Sequence, residues 1–125
     1  MNEPELTALS EKIIGAAIEV HRALGPGFQE ITYHRALLIE MEEVGLAVET
    51  EVPVELRYKG RVIGEGRIDL LVEGKLVVEL KAAAANPQKY RRQVIAYLKA
   101  TNKKLGLIIN FEADRLVDGI TRVIN

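Results

Sequence analysis

The sequence predicts an α/β fold in which two N-terminal helices precede a mixed central β-sheet flanked by helices. Residues 6–44 show helical periodicity, interrupted once by Gly-Pro-Gly. Residues 48–81 show the alternation and turns of strands, and a capped helix then leads to an apolar run at 105–111. The 125 residues have the length of one domain, so we expect a single domain over 1–125.

The first predicted helix runs from about Leu6 to Leu24, with Thr7 or Ser10 as its expected cap. One apolar stripe follows from the three- and four-residue spacing of Leu6, Leu9, Ile13, Ala17, Val20 and Leu24. Residues 25–27 end this helix, because Gly tolerates a left-handed cap and Pro cannot continue the hydrogen-bond ladder. A second helix is predicted from about Gln29 to Val44.

Strict alternation over residues 48–58 predicts a strand with one wet face. Pro53 has no N–H and therefore requires an edge position or a bulge. Gly64 and Gly66 interrupt the next strand and predict a bulge or a close approach to another backbone. A flat floor for a phosphate backbone is the alternative at these glycines, and the bulge is the simpler interpretation.

Residues 67–72 and 76–81 are apolar runs around a short Gly-containing turn, which predicts a β-hairpin. A three-residue loop places Asp69 opposite Glu79, with Lys81 on the same face as Glu79. A two-residue loop would shift Asp69 by one position along the partner strand. We favour the first register because it gathers two carboxylates and one ammonium on one face.

Two neighbouring carboxylates repel each other, and their desolvation raises their pKa. A divalent cation removes this penalty, and oxygen ligands with several waters suit Mg²⁺. The alternative is an exposed ion-pair ladder in which Lys81 pairs with Glu79 or Asp69. The spacing alone leaves both interpretations open.

Asn86 followed by Pro87 is a strong helix start, and the helix is expected to run to about Ala100. The continuous apolar run 105–111 predicts a buried central strand. A strand, a helix and a strand in this order form a βαβ unit with a right-handed crossover. The tail 116–124 can add a short strand.

These residues carry a resemblance to a known family. Asp69, nine residues and then Glu79-Leu80-Lys81 resemble the D-xₙ-(D/E)-x-K signature of the PD-(D/E)XK nuclease superfamily. Residues 27–33, GFQEITY, resemble the G-x-x-E-x-x-Y motif that names a family within it. The similarity runs from about Leu9 to the C-terminus and includes residues 20–27, 93–101 and 105–111.

The resemblance implies a restriction-endonuclease-like core and a metal-dependent nuclease that hydrolyses phosphodiester bonds. It implies Mg²⁺ (or Mn²⁺) as cofactor, held by Asp69, Glu79, the Leu80 carbonyl and Glu30. The catalytic residues carried over are Glu30, Asp69, Glu79, Lys81 and Gln93. The residues assigned to substrate binding are Tyr33, Tyr97 and Arg92.

For two positions the residues alone suggest other roles, and a third departs from the family pattern. Glu30 can simply stabilise a helix N-terminus through the macrodipole, an effect of about 0.3–1 kcal/mol. Tyr33 can be a core tyrosine, or it can pack beside or bond to Glu30. Tyr90 stands where family members often carry a His before Gln93.

The amino-acid composition limits the kinds of site that the chain can form. The chain has no Cys and two His, so disulfides and thiolate sites are excluded and a zinc site is disfavoured. The net charge of −1 argues against strong non-specific binding of DNA by the whole surface. Two basic patches are either solvated helix faces or phosphate contacts: Lys89, Arg91 and Arg92, and Lys99, Lys103 and Lys104.

No apolar run approaches the roughly 20 residues of a membrane span, and the acidic start does not resemble a signal peptide. We therefore expect a cytoplasmic protein with no membrane partner. The expected partner is nucleic acid, DNA rather than RNA, and analogy with small nucleases suggests a homodimer. The alternative function is a non-catalytic nuclease-fold module that binds nucleic acid or a protein.

Overall fold

The computed structural model describes residues 1–84 and 86–125 and has the predicted α/β architecture. The elements are α1 (Glu3–Leu24), α2 (Glu30–Glu43), β1 (Val48–Tyr58), β2 (Arg61–Val72), β3 (Leu76–Lys81), α3 (Pro87–Thr101), β4 (Leu105–Asn110), a 3₁₀ turn (Leu116–Gly119) and β5 (Ile120–Ile124). In the described ranges, no helix has the length and apolar character needed to cross a membrane. The Ala-rich linker before α3 includes residue 85, which lies outside the described residues.

The five strands form one mixed sheet in the order β1-β2-β3-β4-β5. Neighbouring strands are antiparallel except β3 and β4, which are parallel and are connected by α3. The predicted βαβ unit is therefore confirmed. Strand β1 lies at the edge of the sheet, where the missing N–H of Pro53 is tolerated.

A hydrophobic core lies on each face of the sheet. Helices α1 and α2 pack on one face, and their core includes Leu76, Val78 and Leu80 of β3. Helix α3 packs on the other face, over a core that includes Val77. Because side chains alternate along a strand, Glu79 falls on the α3 face, at a position otherwise suited to an apolar residue.

The hairpin has the predicted register. Leu70, Leu71 and Val72 pair with Val78, Val77 and Leu76, as a three-residue loop requires. In β2 one extra residue, Ile63, lies between the partners of Leu56 and Arg57, so the strand contains the predicted bulge.

The predicted cap of α1 is wrong, whereas that of α3 is confirmed. Asn2 caps α1, since its Oδ1 accepts a hydrogen bond from the Glu5 N–H at 2.9 Å. Thr7 and Ser10 lie inside this helix. Helix α1 begins before its apolar stripe because two start signals precede that stripe, the Asn cap and a Pro in the first turn. Asn86 caps α3 by accepting from the Lys89 N–H.

Gly66 is required by packing. A Cβ on Gly66 would lie 2.4 Å from Cε1 of Tyr97, whereas one on Gly64 would meet Leu56 Cδ1 at an ordinary 3.6 Å. The close approach at Gly66 is therefore that of a tyrosine ring from α3, and the prediction of another backbone at this position is wrong.

We expect Gly66→Ala to lower the free energy of unfolding by about 1–3 kcal/mol, because the buried Tyr97 ring must move. Gly64→Ala, in the same strand, is the matched control and should change stability by less than about 0.5 kcal/mol. Urea unfolding of both variants measures the difference. Equal losses in the two variants would contradict this packing role.

Candidate active site

Strand β2 leaves the sheet ladder on both sides at Asp69. The ladder with β3 ends at the pair Leu70–Val78, so Asp69 and Glu79 are not joined by backbone pairing. The ladder with β1 also omits Asp69, and Glu51 opposite it has a left-handed φ of 52°. The backbone of Asp69 must therefore find partners outside the regular sheet.

The two carboxylates supply partners in a reciprocal arrangement. Oε1 of Glu79 accepts a hydrogen bond from the Asp69 N–H at 3.1 Å. Oδ2 of Asp69 accepts one from the Leu80 N–H at 2.9 Å. Each acidic side chain thus reaches across to the backbone of the neighbouring strand, and this brings the two predicted acidic residues together.

The second oxygen of each carboxylate is available to another partner. Within residues 1–84 and 86–125, Oδ1 of Asp69 and Oε2 of Glu79 accept no hydrogen bond. In the same ranges no buried side-chain oxygen or nitrogen lacks a partner, so both oxygens are accessible to solvent. Two oxygens of this kind beside each other suit a hard divalent cation.

The electrostatics of the site show an excess of negative charge. Burial, followed by the charge of Asp69, raises the pKa of Glu79 to about 8. Burial is also the main cause of the raised pKa of Asp69. Burial and then the Asp69 charge raise the pKa of Glu30. Lys81 favours the ionised form of all three groups but does not compensate fully.

Lys81 does not form the alternative ion-pair ladder. Its Nζ lies 4.6 Å from the centroid of the Tyr90 ring, in a cation–π contact. Among the described residues, none of the ion pairs within 4.0 Å involves Lys81. Glu79 is only 3% exposed, which also excludes an exposed ladder. Tyr90 therefore holds the ammonium near the carboxylates without direct pairing.

Glu30 is the first residue of α2 and is oriented by the preceding turn. Its charge interacts with those of Asp69 and Lys81, which places it at the same site. Within the described part of the chain, however, no three His, Cys, Asp or Glu side chains are arranged to hold a metal ion. The role of Glu30 as a further metal ligand stays a prediction.

Tyr33 has a structural role, and its assignment to substrate binding stays a prediction. The side chain is fully buried and stacks on Phe111, with ring centroids 4.4 Å apart. Its hydroxyl donates to the Gly25 carbonyl at 2.6 Å and accepts from the Phe28 N–H at 3.1 Å. Tyr33 therefore binds the turn that precedes Glu30, and its hydroxyl is already used.

On α3, Gln93 Nε2 donates to the Tyr97 hydroxyl at 3.3 Å. Gln93 is exposed and Tyr97 is largely buried against Gly66, so Gln93 is the member of the pair that solvent reaches. Arg92 is exposed, and no hydrogen bond or ion pair joins it to the site within the described residues. Its contact with substrate, like that of Gln93, stays a prediction.

Sequence reasoning missed Glu51 and His34. In addition to burial, the charge of Glu51 raises the pKa of Asp69 and of Glu30, while His34 lowers both. One signal was available in the sequence, since His34 lies one turn after Glu30. Glu51 lies opposite Asp69 only because the bulge in β2 shifts the strand register. Arg67 lies 3.3 Å from Glu51 at the surface and partly balances its charge.

Comparison with known proteins gives a family and a fold. The family model for the PD-(D/E)XK nuclease superfamily matches residues 7–123, and the match does not identify the G-x-x-E-x-x-Y family separately. Among solved structures, the crystal structure of SSO0001 is similar with a TM-score of 0.59 and 21% identity. The similarity covers 75% of this chain and 48% of that chain, so this chain spans about half the length of SSO0001. No curated protein matches the sequence.

We expect Tyr33→Phe to lower the free energy of unfolding by about 1–3 kcal/mol, because the Gly25 carbonyl and the Phe28 N–H lose their partner. The aromatic stacking on Phe111 is retained in this variant. Tyr58→Phe, at a tyrosine 62% exposed, is the control and should be neutral. Chemical unfolding compares them, and a neutral Tyr33→Phe would contradict the structural role.

We expect the stability of the protein in EDTA to fall as pH rises from about 4.5 to 8. The folded state holds the Glu79 proton more tightly than the unfolded state, so proton binding stabilises the fold below this window and is lost through it. Each pKa unit corresponds to about 1.4 kcal/mol, so the total loss should be a few kcal/mol.

Glu79→Gln should reduce this slope and be more stable than the unchanged protein above pH 8. Burial still raises the pKa of Asp69, so part of the slope should remain. Glu42→Gln, at an exposed helix position, serves as the control. Thermal unfolding across pH measures the effect, and parallel curves for all three proteins would contradict it.

Proposed function

Because the chain belongs to the PD-(D/E)XK nuclease superfamily, we propose that it is a metal-dependent nuclease that hydrolyses phosphodiester bonds. The observation that carries the proposal is the reciprocal bonding of Asp69 and Glu79 across the gap between β2 and β3. This arrangement holds a buried and a half-buried carboxylate side by side while leaving one oxygen of each open to a cation.

The residues fit Mg²⁺ or Mn²⁺. Asp69, Glu79 and the Leu80 carbonyl would hold the ion, and the donor set is all oxygen, as these cations prefer. When bound, the ion supplies Lewis-acid stabilisation of the phosphate and activation of a water. Burial is the main cause of the raised pKa of both carboxylates. A cation would relieve their excess negative charge, which supports the fit of the site to a metal ion.

Lys81 orients the attacking water and offsets negative charge as it develops on the phosphate. The ammonium is suited to this because it sits over Tyr90 and is not engaged by a carboxylate within the described residues. A lysine paired directly with Glu79 would have its donors already used. Its Nζ donors make no ion pair within the described residues and are instead available to water and phosphate.

Glu30 and Gln93 act around this centre. Glu30 is near enough to interact with Asp69 and Lys81, so it can position a water on the α2 side. Gln93 reaches solvent from α3 and is fixed by Tyr97, so it can bind a phosphate oxygen or a water. Arg92, exposed on the same helix, adds a positive charge for the substrate backbone.

We propose DNA as the substrate in preference to RNA, and membership of the G-x-x-E-x-x-Y family on the spacing of Gly27, Glu30 and Tyr33. The spacing has a structural basis. Gly27 adopts a φ of 112°, Glu30 begins α2, and Tyr33 reaches back to the turn. A homodimer acting on both strands of a duplex is part of the same proposal.

A second candidate function is a non-catalytic module that binds nucleic acid. One observation favours it: the described residues contain no group of three or more metal-ligating side chains. A carboxylate pair alone binds a metal more weakly than a three-ligand site. The two functions differ in whether substrate is cut, so one set of variants separates them.

We expect Mn²⁺ to bind with about one ion per chain in calorimetry, and Asp69→Asn or Glu79→Gln to abolish this binding. With Mn²⁺, the unchanged protein should cut a DNA substrate. Lys81→Met should retain Mn²⁺ binding but lower the cleavage rate about 100-fold or more, because the positioned charge is lost. Glu42→Gln is the control for both measurements.

Metal binding without cleavage of any single-stranded or duplex DNA or RNA would favour the non-catalytic module. Cleavage that survives Asp69→Asn and Glu79→Gln would exclude the proposed site. Sedimentation of the protein with and without duplex tests the homodimer separately.

A further inference from the structure

A cavity of about 270 Å³ lies between the first turn of α3 and the β4–β5 edge of the sheet. Pro87 and Tyr90 form its wall on the helix side. The cross-strand pair Ile108–Thr121 lies at its floor. The volume is just below the roughly 300–1,000 Å³ of small-molecule pockets, which limits an occupant to about one ring system.

The cavity adjoins the proposed catalytic centre through two residues. Tyr90 lines the cavity and also carries the ammonium of Lys81 at 4.6 Å. Asn110 lines the cavity too, and it pairs with Lys81 in the parallel β3–β4 register. A molecule in the cavity would therefore contact two neighbours of Lys81, on the side of the cavity that faces the proposed catalytic centre.

The end of the cavity at Asn110 is fixed by hydrogen bonds and close packing. Asn110 is largely buried, and its amide nitrogen donates to the Ala83 carbonyl at 3.0 Å while its oxygen accepts from the Glu112 N–H at 3.1 Å. A Cβ on Gly119 would lie 2.2 Å from the Asn110 carbonyl oxygen, so the closing turn packs tightly on the strand. The shape is thus built into the fold before any ligand binds.

The charged residues of the cavity lining indicate which kind of ligand the cavity can bind. Among the described lining residues, the charged ones are Glu112 and Asp118, both acidic and exposed, and no Lys or Arg is present. Such a lining disfavours a phosphate and favours a neutral group with hydrogen-bond donors. Tyr90 adds an aromatic side chain to the lining, which a planar base can contact.

We propose that this cavity binds the base of the nucleotide next to the scissile phosphate, and that it prefers a base with an exocyclic amino group. The proposal rests on the nuclease function proposed above. The amino group of cytosine, adenine or guanine would donate to Asp118 or Glu112, while the ring lies against Tyr90. Cleavage would then depend on the base at one position.

The test uses cytidine and uridine, which are nearly equal in size but differ in the donor or acceptor at the base edge. ¹⁵N-labelled protein in EDTA is titrated with each nucleoside, and amide shifts of Gly119 and Thr121 are followed. We expect cytidine to bind about tenfold more tightly than uridine, since a hydrogen bond to a charged acceptor is strong. Asp118→Asn should reduce this difference.

A blocking variant tests the location. Thr121→Phe fills the cavity from its floor and should abolish the cytidine shifts. Ile124→Phe, on the same strand and 74% exposed, is the matched control. If the protein cuts DNA, the blocking variant should raise KM and remove the preference for a base with an exocyclic amino group beside the cleaved bond, with Mn²⁺ binding unchanged.

Equal shifts with cytidine and uridine, or cytidine shifts that survive Thr121→Phe, would overturn the base site. The titration needs no catalysis. If the protein is inactive but binds cytidine at Gly119 and Thr121, only the nuclease proposal is contradicted. If the protein is active but the amides of Gly119 and Thr121 do not shift with cytidine, only the proposed base site is contradicted.

Discussion

The local break of the sheet at Asp69 is the constraint around which the rest of the structure is arranged. A regular ladder would pair the backbones of Asp69 and Glu79 and leave their carboxylates as two neighbouring side chains on one face. Here the side chains replace the missing ladder bonds. The arrangement requires β3 to be held by something other than β2 at this point, and the parallel pairing with β4 through Lys81 does this.

The turn before α2 shows how a sequence motif acts through backbone geometry. Gly25 and Gly27 both adopt left-handed φ values, which allow the sharp change of direction into the helix. Tyr33, one turn into α2, fixes this turn through its hydroxyl and packs on Phe111. The N–H of Phe111 in turn bonds the Lys81 carbonyl at 2.9 Å. The position of Glu30 is therefore tied to the strand that carries Lys81.

Much of this could be predicted from the sequence because the relevant signals are local. The Gly-containing loop and the alternation of β2 and β3 set the hairpin register, and that register brought Asp69 opposite Glu79. The reciprocal bonds could not be predicted, because nothing local indicates that the ladder stops at Leu70. The alternation of β1 places Glu51 on the wet face, and its left-handed φ could not be predicted because no glycine stands there. The use of the Tyr33 hydroxyl by a loop is likewise invisible to helical periodicity.

The buried carboxylates oppose folding, and three changes can relieve this: a proton, an amide substitution or a cation. A proton or an amide relieves repulsion by removing a negative charge from Glu79, which also weakens its affinity for a metal. Only a cation relieves the repulsion while both carboxylates stay ionised. Because a ligand that binds only the folded state stabilises it, the ion expected to serve catalysis would also offset the cost of building the site. Two hydrophobic cores, one on each face of the sheet, hold the fold together when the ion is absent.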